Sequence, residues 1–465
     1  MAFRKHLAFW SVLALIAWPV WITGGTQPAW QGPLPILGAI ALIAAFLGVP
    51  SEDEGRKRRR GGVLSDPVFY IGIPFMLLLA VQWWNAGREL TLNSDLTKWI
   101  YGPPRIASLP SAVTKEDAAE MLRWFFPAWA LILCVRNGVR GQRDTRRLLR
   151  ALLYCGCILG TLSILQYLVA VVWGLTEIPS ESYFVVSFGY PNHAGAYFLL
   201  MLCVALGLLL SELGKESGKS RARIFALSTC AAVCFLAIQV TLSRAAMLIS
   251  WGVALVCALH SVFGGWHVLA PVRRFNRALT VVVVAVLGFF VLYGFGRDRI
   301  KNEFLDRKRK QPENAAEAAG TLVASAAFGD RALQRETAVK ILHDHRWFGA
   351  GGWCQRYLAA TYAPMEKWSH FASEGKANTH CDPLQFLSEF GIVGAVLMAA
   401  AVLVSAMPLF AGRRRQSLGP TMFFCCLGLM AVWAWSFTDL PFRSPAVLYT
   451  WLAILSALPA ATARR

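Results

Sequence analysis

The feature that most constrains this chain is the return, along almost its whole length, of apolar runs long enough to cross a lipid bilayer. A hydrocarbon core asks for about 20 mostly apolar residues per helix. The sequence supplies such runs near 7–23, 34–49, 67–85, 119–136, 148–173, 192–211, 224–242, 245–263, 278–294, 386–411, 419–437 and 444–459, the second of them short for a full span. Charged residues make up 16% of the chain, against roughly 25% in a soluble domain. The pattern predicts an all-α polytopic membrane protein of about 12 transmembrane helices. It reads as a single transmembrane domain over 1–465, with one large loop, 295–385, inserted between the ninth and tenth spans. The basic start, MAFRKH, has the charge layout of a signal peptide but no clear small-x-small cleavage site. It is expected to remain as the first helix.

The formal net charge of +19 raises the question of a nucleic-acid partner. The placement of the charge argues against one. Lys and Arg cluster in alternate connections, at Arg4/Lys5, Arg56–Arg60, Arg136–Arg150, Lys215–Arg223, Arg273–Arg277, Arg413–Arg415 and Arg464/Arg465. The connections at 24–33 and 174–190 have no Lys or Arg. This is the positive-inside pattern, which puts both termini in the cytoplasm and the 295–385 loop on the far side. Membrane lipids, not nucleic acid, are then the general partner of the basic clusters. The large loop is itself basic, which suits either an anionic partner or a merely solvated face.

Two connections are long. The segment 86–118 carries Pro103, Pro104 and Pro110 and reads as an irregular lid. The large loop opens with basic Arg297–Lys310 and Ala-rich Asn314–Ala327. A helix is expected from Arg331 to about His345, with Arg331, Arg335, Ala338, Leu342 and His345 on one face. The glycines of Gly349-Ala350-Gly351-Gly352 end it. Asp382-Pro383-Leu384-Gln385 reads as an N-cap, a proline at the first helical position and a capping-box Gln, so a helix enters the tenth span there.

Four places can carry chemistry, and each has a plainer reading. Ser243-Arg244 is a polar break between two apolar runs, where the arginine either snorkels or holds an anion. Arg331 and Arg335, one turn apart, are either a solvated helix face or a phosphate grip. His380, in Asn378-Thr379-His380-Cys381-Asp382, is either structural or a proton acceptor. Ser187-Phe188-Gly189-Tyr190-Pro191-Asn192 leads into a helix, where Asn192 caps or backbone donors face an anion. Arg123 and Glu389 are the main charges inside apolar runs, both near the ends, which lowers a transporter or flippase reading. Most of the 11 cysteines fall inside spans. Cys354 and Cys381 lie in the large loop and could pair in an oxidising compartment. No HExxH, CxxC, Walker or Rossmann fingerprint occurs, so no metal or other cofactor is expected.

Taken in order, these places resemble the bacterial O-antigen ligase and polymerase superfamily of membrane glycosyltransferases. The resemblance runs from about Phe188 to Leu397. It rests on the Pro191-Asn192 step, on Thr241-Leu242-Ser243-Arg244, and on Arg331 some eighteen residues before Gly349-Ala350-Gly351. It closes with His380 and, nine residues on, Glu389-Phe390-Gly391 followed by Ile392-Val393-Gly394. The sequence departs from the family at two positions: Cys381 stands for the usual Asn, and Arg335 for the usual Trp.

The resemblance implies transfer of a glycan from undecaprenyl diphosphate to an acceptor hydroxyl, on lipid A core or another glycan, at the periplasmic face of the inner membrane. Arg244 and Arg331 would meet the diphosphate, with Arg335, Asn192 and Glu389 as substrate-binding neighbours, and His380 would take the hydroxyl proton. Polymerisation of O-antigen or an exopolysaccharide is the alternative within the family, and a polysaccharide or lipid transporter the alternative outside it.

Overall fold

The computed structural model describes residues 2–47, 62–92, 99–172, 187–213, 221–263, 330–364, 378–410 and 419–462. Its described residues form thirteen α-helices and one two-stranded ribbon. The helices are α1 (Ala2–Trp21), α2 (Pro33–Leu47), α3 (Pro67–Trp84), α4 (Lys115–Gly138), α5 (Gly141–Val172), α6 (Pro191–Leu213), α7 (Arg221–Val240) and α8 (Arg244–Phe263). They continue as α9 (Asp330–Asp344), α10 (Cys354–Tyr362), α11 (Asp382–Phe410), α12 (Pro420–Trp435) and α13 (Pro445–Thr462).

Seven helices are long and apolar enough to cross a membrane, and four shorter apolar ones, α1, α2, α12 and α13, fall on four further apolar runs. The run at 278–294 lies outside the described residues, as do Arg297–Lys310, Asn314–Ala327 and several of the basic clusters. Pro19, Pro74, Pro127, Pro408 and Pro459 sit inside helices, which membrane helices tolerate because neighbours re-satisfy the freed backbone groups.

The chain divides into two compact units, one of Met1–Leu148, Asp330–Arg415 and Trp433–Arg465, the other of Leu149–Gly329 and Gln416–Val432. In the first, α4 packs against α1, α2, α3 and α13, and α11 against α3, α9 and α13. Asp66 caps α3, accepting from the Val68 N–H at 3.1 Å, and ion-pairs with Arg136 of α4 at 2.7 Å. Rings of Phe75, Phe125, Phe386 and Phe390 meet at centroid distances of 4.7 to 6.1 Å and seat the start of α11 on α3 and α4. In the second unit α6 is buried on nearly every side against α7 and α8, as expected of a helix apolar all round.

α11 is broken at Gly391, whose φ of 66° and ψ of −170° belong to no helix. A break frees backbone groups that must find partners. The segment after α9 supplies them. Ser388 and Glu389 carbonyls accept from Ala350 and Gly351 N–H, each at 2.9 Å, while Ile392 and Val393 N–H donate to the Arg346 and Trp347 carbonyls at 2.8 and 3.0 Å. Gln82 of α3 closes the junction, donating to the Phe348 and Glu389 carbonyls at 2.9 and 3.0 Å. The two strands of chain touch so closely that a Cβ on Gly349 would strike the Glu389 carbonyl and Phe390 nitrogen, and one on Gly391 the Trp347 carbonyl and Phe348 nitrogen.

Two local expectations are corrected. The 86–118 segment is not wholly irregular: Leu90–Leu92 pairs antiparallel with Trp99–Tyr101, and α4 already begins at Lys115 behind a Thr114 cap. The stretch 106–110 is pinned by Asn85, whose side chain bonds Ile106 in both directions at 3.0 and 3.1 Å.

The buried stripe of α9 is Gln334, Thr337, Ala338 and Ile341. Gln355 of α10 donates to the Gln334 carbonyl and Thr337 hydroxyl at 3.0 and 2.8 Å, so part of this stripe is polar and apolar spacing does not reveal it.

The capping box at Asp382 does not close. The Asp382 N–H donates to the Ser436 carbonyl at 2.8 Å and its carboxylate accepts from the Phe442 N–H at 2.8 Å, while Gln385 Oε1 accepts from the Thr379 N–H at 3.2 Å.

Candidate active site

In the first unit, three segments converge. α9 brings Arg331 and Arg335, the residues before α11 bring His380, and the connection between α12 and α13 brings Phe437, Thr438 and Asp439. Arg331 and Arg335 share a side of α9 because they are four residues apart. Arg331 Nη1 donates to the Thr438 carbonyl at 3.1 Å and Nη2 lies 4.0 Å from Asp439 Oδ2. Arg335 Nη2 donates to the carbonyls of His380 and Phe437 at 3.1 and 3.2 Å. His380 Nδ1 faces Asp439 Oδ1 at 3.3 Å. The histidine backbone has φ of 47°, a left-handed conformation that non-glycine residues adopt at a cost and that is concentrated at functional sites.

Asp439 is nearly enclosed, at 3% exposure. Burial alone would raise its carboxyl. The hydrogen bond and charge of His380, then the charge of Arg331 and the Leu440 N–H, outweigh burial and hold the group below the usual carboxylate range. When the ring is neutral, an ionised carboxylate at Nδ1 favours the tautomer with the proton on that nitrogen, and Nε2 is then a proton acceptor.

Behind this cluster lies a buried ionic network. Glu389 is completely enclosed; Oε1 accepts from the Trp353 N–H at 3.1 Å and from Gln385 at 3.2 Å, and Oε2 pairs with Arg443 at 2.6 Å. Arg443 also lies 3.8 Å from Asp382. Two guanidinium groups lie over the Trp353 ring, Arg356 at 3.7 Å and Arg443 at 4.8 Å from its centroid, and its indole N–H donates to Glu120 at 3.2 Å. Trp353 has φ of 57° at the start of α10. Glu389 is therefore spent on protein partners, which tie the broken α11 to the connection that carries Asp439.

Cys354 and Cys381 are both free thiols. Cys354 is buried and its Sγ donates to the Ser388 carbonyl at 3.6 Å, and burial pushes that thiol well up. The Cys381 N–H donates to the Thr379 hydroxyl at 3.2 Å.

In the second unit, the Pro191-Asn192 step and the Ser243-Arg244 turn come together. Ser243 Oγ donates to Asn192 Oδ1 at 2.5 Å, and Asn192 Nδ2 donates to the Tyr190 hydroxyl at 2.9 Å. Leu242 turns the chain with φ of 57°. A Cβ on Gly195 would crowd Ala246 and Ser243, so α6 and the turn approach closely. Arg244 opens α8 with an exposed side chain.

Sequence reasoning missed Asp439 and Arg443. The signal available was an Asp-Leu-Pro-Phe-Arg run in the short connection before the last apolar helix, two charges where a plain turn would suffice. Among the described residues no three His, Cys, Asp or Glu side chains gather so as to hold a metal ion.

No curated protein matches the chain. Residues 229–399, which contain Arg244, Arg331, Arg335, His380 and both halves of the Gly349/Gly391 junction, match the family model of the O-antigen ligase, in agreement with the superfamily that the sequence resembles.

Proposed function

We propose that the protein is an O-antigen ligase-type glycosyltransferase that moves a glycan from undecaprenyl diphosphate to an acceptor hydroxyl at the periplasmic face of the inner membrane. The family match supports an O-antigen ligase- or polymerase-like membrane glycosyltransferase. The observation that carries the finer reading is the pairing of His380 with Asp439 beside the Arg331 and Arg335 guanidinium groups.

In the proposed reaction the acceptor oxygen attacks the anomeric carbon as its proton passes to His380 Nε2. The bond from that carbon to the diphosphate oxygen breaks, and the configuration inverts. Arg331, helped by Arg335, takes the negative charge that develops on the leaving diphosphate, a duty that preorganised donors perform without reorganising. The role given to Arg244 and Asn192 rests on the resemblance. The acceptor is taken to be lipid A core.

The test is transfer in vitro from a lipid diphosphate glycan in the presence of EDTA. Wild-type protein should transfer; His380→Ala should bind donor but lose roughly 10²–10⁴-fold in turnover. Arg331→Lys keeps the charge, loses the fork and should be impaired. Wild-type rates in His380→Ala would reject the proton-acceptor role. Deleting the gene separates ligase from polymerase: a lipopolysaccharide gel that loses all long chains indicates a ligase, and a band with a single repeat indicates a polymerase.

A further inference from the structure

The turn after α9, Arg346-Trp347-Phe348, turns two large aromatic side chains outward, Trp347 at 57% and Phe348 at 41% exposure. Arg346 is exposed as well, and its guanidinium lies 5.8 Å from the Trp347 ring centroid. The outer side of α9 before this turn is largely charged: Glu336 pairs with Lys340 at 2.8 Å, and His343 lies 3.1 Å from Asp344. The turn is fixed in place, because the Arg346 and Trp347 carbonyls accept from the Ile392 and Val393 N–H groups and the Phe348 carbonyl accepts from the Gln82 side chain. All of these residues belong to the first compact unit.

Two helices mark the level of that attachment, and they agree. In α11 the residues before the break, Asp382, Gln385, Ser388 and Glu389, are polar and buried in protein, while Ile392, Val396, Leu403 and Met407 beyond it are exposed and apolar. The stretch from Gly391 to Phe410 rises about 30 Å at 1.5 Å per residue, which matches a hydrocarbon core of about 30 Å. The outer edge of the hydrocarbon therefore falls at the break, where the turn is bonded. In α3 the last residues are Trp83 and Trp84, both exposed. Tryptophan collects at membrane–water interfaces, where its ring meets hydrocarbon and its N–H meets water. Gln82, which bonds Phe348, immediately precedes them. The exposed aromatics of the turn thus stand level with the aromatic end of α3 and the start of the lipid-facing run of α11.

We propose that Arg346, Trp347 and Phe348 form an interfacial anchor, a turn outside the spans that inserts its two rings into the boundary between phospholipid headgroups and acyl chains. Rings at that depth leave water without needing a protein partner, and Arg346 extends its guanidinium back to the phosphates. The patch is continuous with the lipid-facing side chains of α3 and α11, which makes the bilayer its partner and not a second copy of the chain. The anchor rests on the reading of α3 and α11 as membrane spans and is independent of glycosyl transfer. It lies at the end of α9 opposite Arg331 and Arg335, about 20 Å along the helix, so it sets where those guanidinium groups stand relative to the lipid surface.

The test places the photo-crosslinker p-benzoylphenylalanine, one position at a time, at Trp347, Phe348, His343 and Leu403 of the full-length protein. Each variant is reconstituted in vesicles of phosphatidylethanolamine and phosphatidylglycerol, irradiated, and weighed by mass spectrometry for phospholipid adducts. Leu403, in the middle of the lipid-facing run, is the positive control. His343, on the charged side of the same annex, controls for the probe's own affinity for lipid. Adducts at positions 347 and 348 should be comparable to those at 403 and exceed those at 343 by roughly tenfold. Yields at 347 and 348 no higher than at 343 would overturn the anchor, and so would cross-links from them to a second copy of the chain in place of lipid. Absence of adducts at 403 would overturn the membrane placement of α11 and the anchor with it, an outcome distinct from failure at 347 and 348 alone.

Discussion

Gly349 and Gly391, forty-two residues apart in sequence, occupy matching positions on two strands of backbone that lie against each other. Both have positive φ, 71° and 66°, and each is closed to a Cβ by the peptide next to the other. Alanine at either position meets strain of about 1–3 kcal/mol from conformation alone, and must in addition push apart backbone that is hydrogen-bonded across the junction. Gly349→Ala and Gly391→Ala should each lower the thermal unfolding midpoint in detergent and the yield of folded protein. An unchanged midpoint in both would show that the junction contributes little.

Asp439 is expected to be a positioning residue that acts through His380. Asp439→Asn removes the charge that keeps the ring proton on Nδ1 while preserving size. Turnover should fall by roughly the 10²–10⁴ that base assistance contributes, with donor KM changed much less. Steady-state kinetics on the lipid diphosphate donor distinguish this from loss of binding, which would raise KM at constant turnover.

The pH dependence of stability carries the same group's signature. The folded-state value of Asp439 lies below the unfolded one, so the folded protein binds fewer protons there. The stabilisation is complete above the ordinary carboxylate value of about 3.9 and is lost as pH falls through the lower folded value. Thermal midpoints recorded across that acid range should decline less steeply for Asp439→Asn than for wild type. Equal slopes would remove Asp439 from the account.

Glu389 and Arg443 form a pair with little access to water, at 0% and 9% side-chain exposure. Removing one partner leaves the other charge buried, so Glu389→Gln and Arg443→Gln should each cost about 3–5 kcal/mol. The double variant should cost clearly less than the sum, with a coupling of about 1–3 kcal/mol in a double-mutant cycle. Additive losses would mean that the two side chains are stabilised by other neighbours.

The apolar runs were legible because a bilayer leaves a chain no alternative to helices of about that length; α1 to α8 and α11 to α13 all fall on them. The gathering of Arg331, Arg335 and His380 was foreshadowed only by motif order, since none of the three motifs is specific alone. The break at Gly391 was invisible, because a glycine inside an apolar run is ordinary and its partner Gly349 lies in a different element. Asp439 and Arg443 escaped notice for a related reason. Charges in a short connection read as solvated, and only the fold shows that one orients a histidine and the other neutralises Glu389. Which side of α9 is buried could not be read from apolar periodicity, because Gln334 and Thr337 are part of the buried stripe.

The exchange of hydrogen bonds between residues 346–351 and 388–393 makes the annex that follows α9 and the α11 helix depend on each other for their shape. If the annex were cut away, three backbone groups of α11, the Ser388 carbonyl and the Ile392 and Val393 N–H, would lose their partners, while the Glu389 carbonyl would keep Gln82. Excised on its own, the annex would lose the surface that gives it shape. Assembly of the candidate site is therefore expected to wait on the placement of α11, so a variant that disturbs α11 should disturb the annex as well.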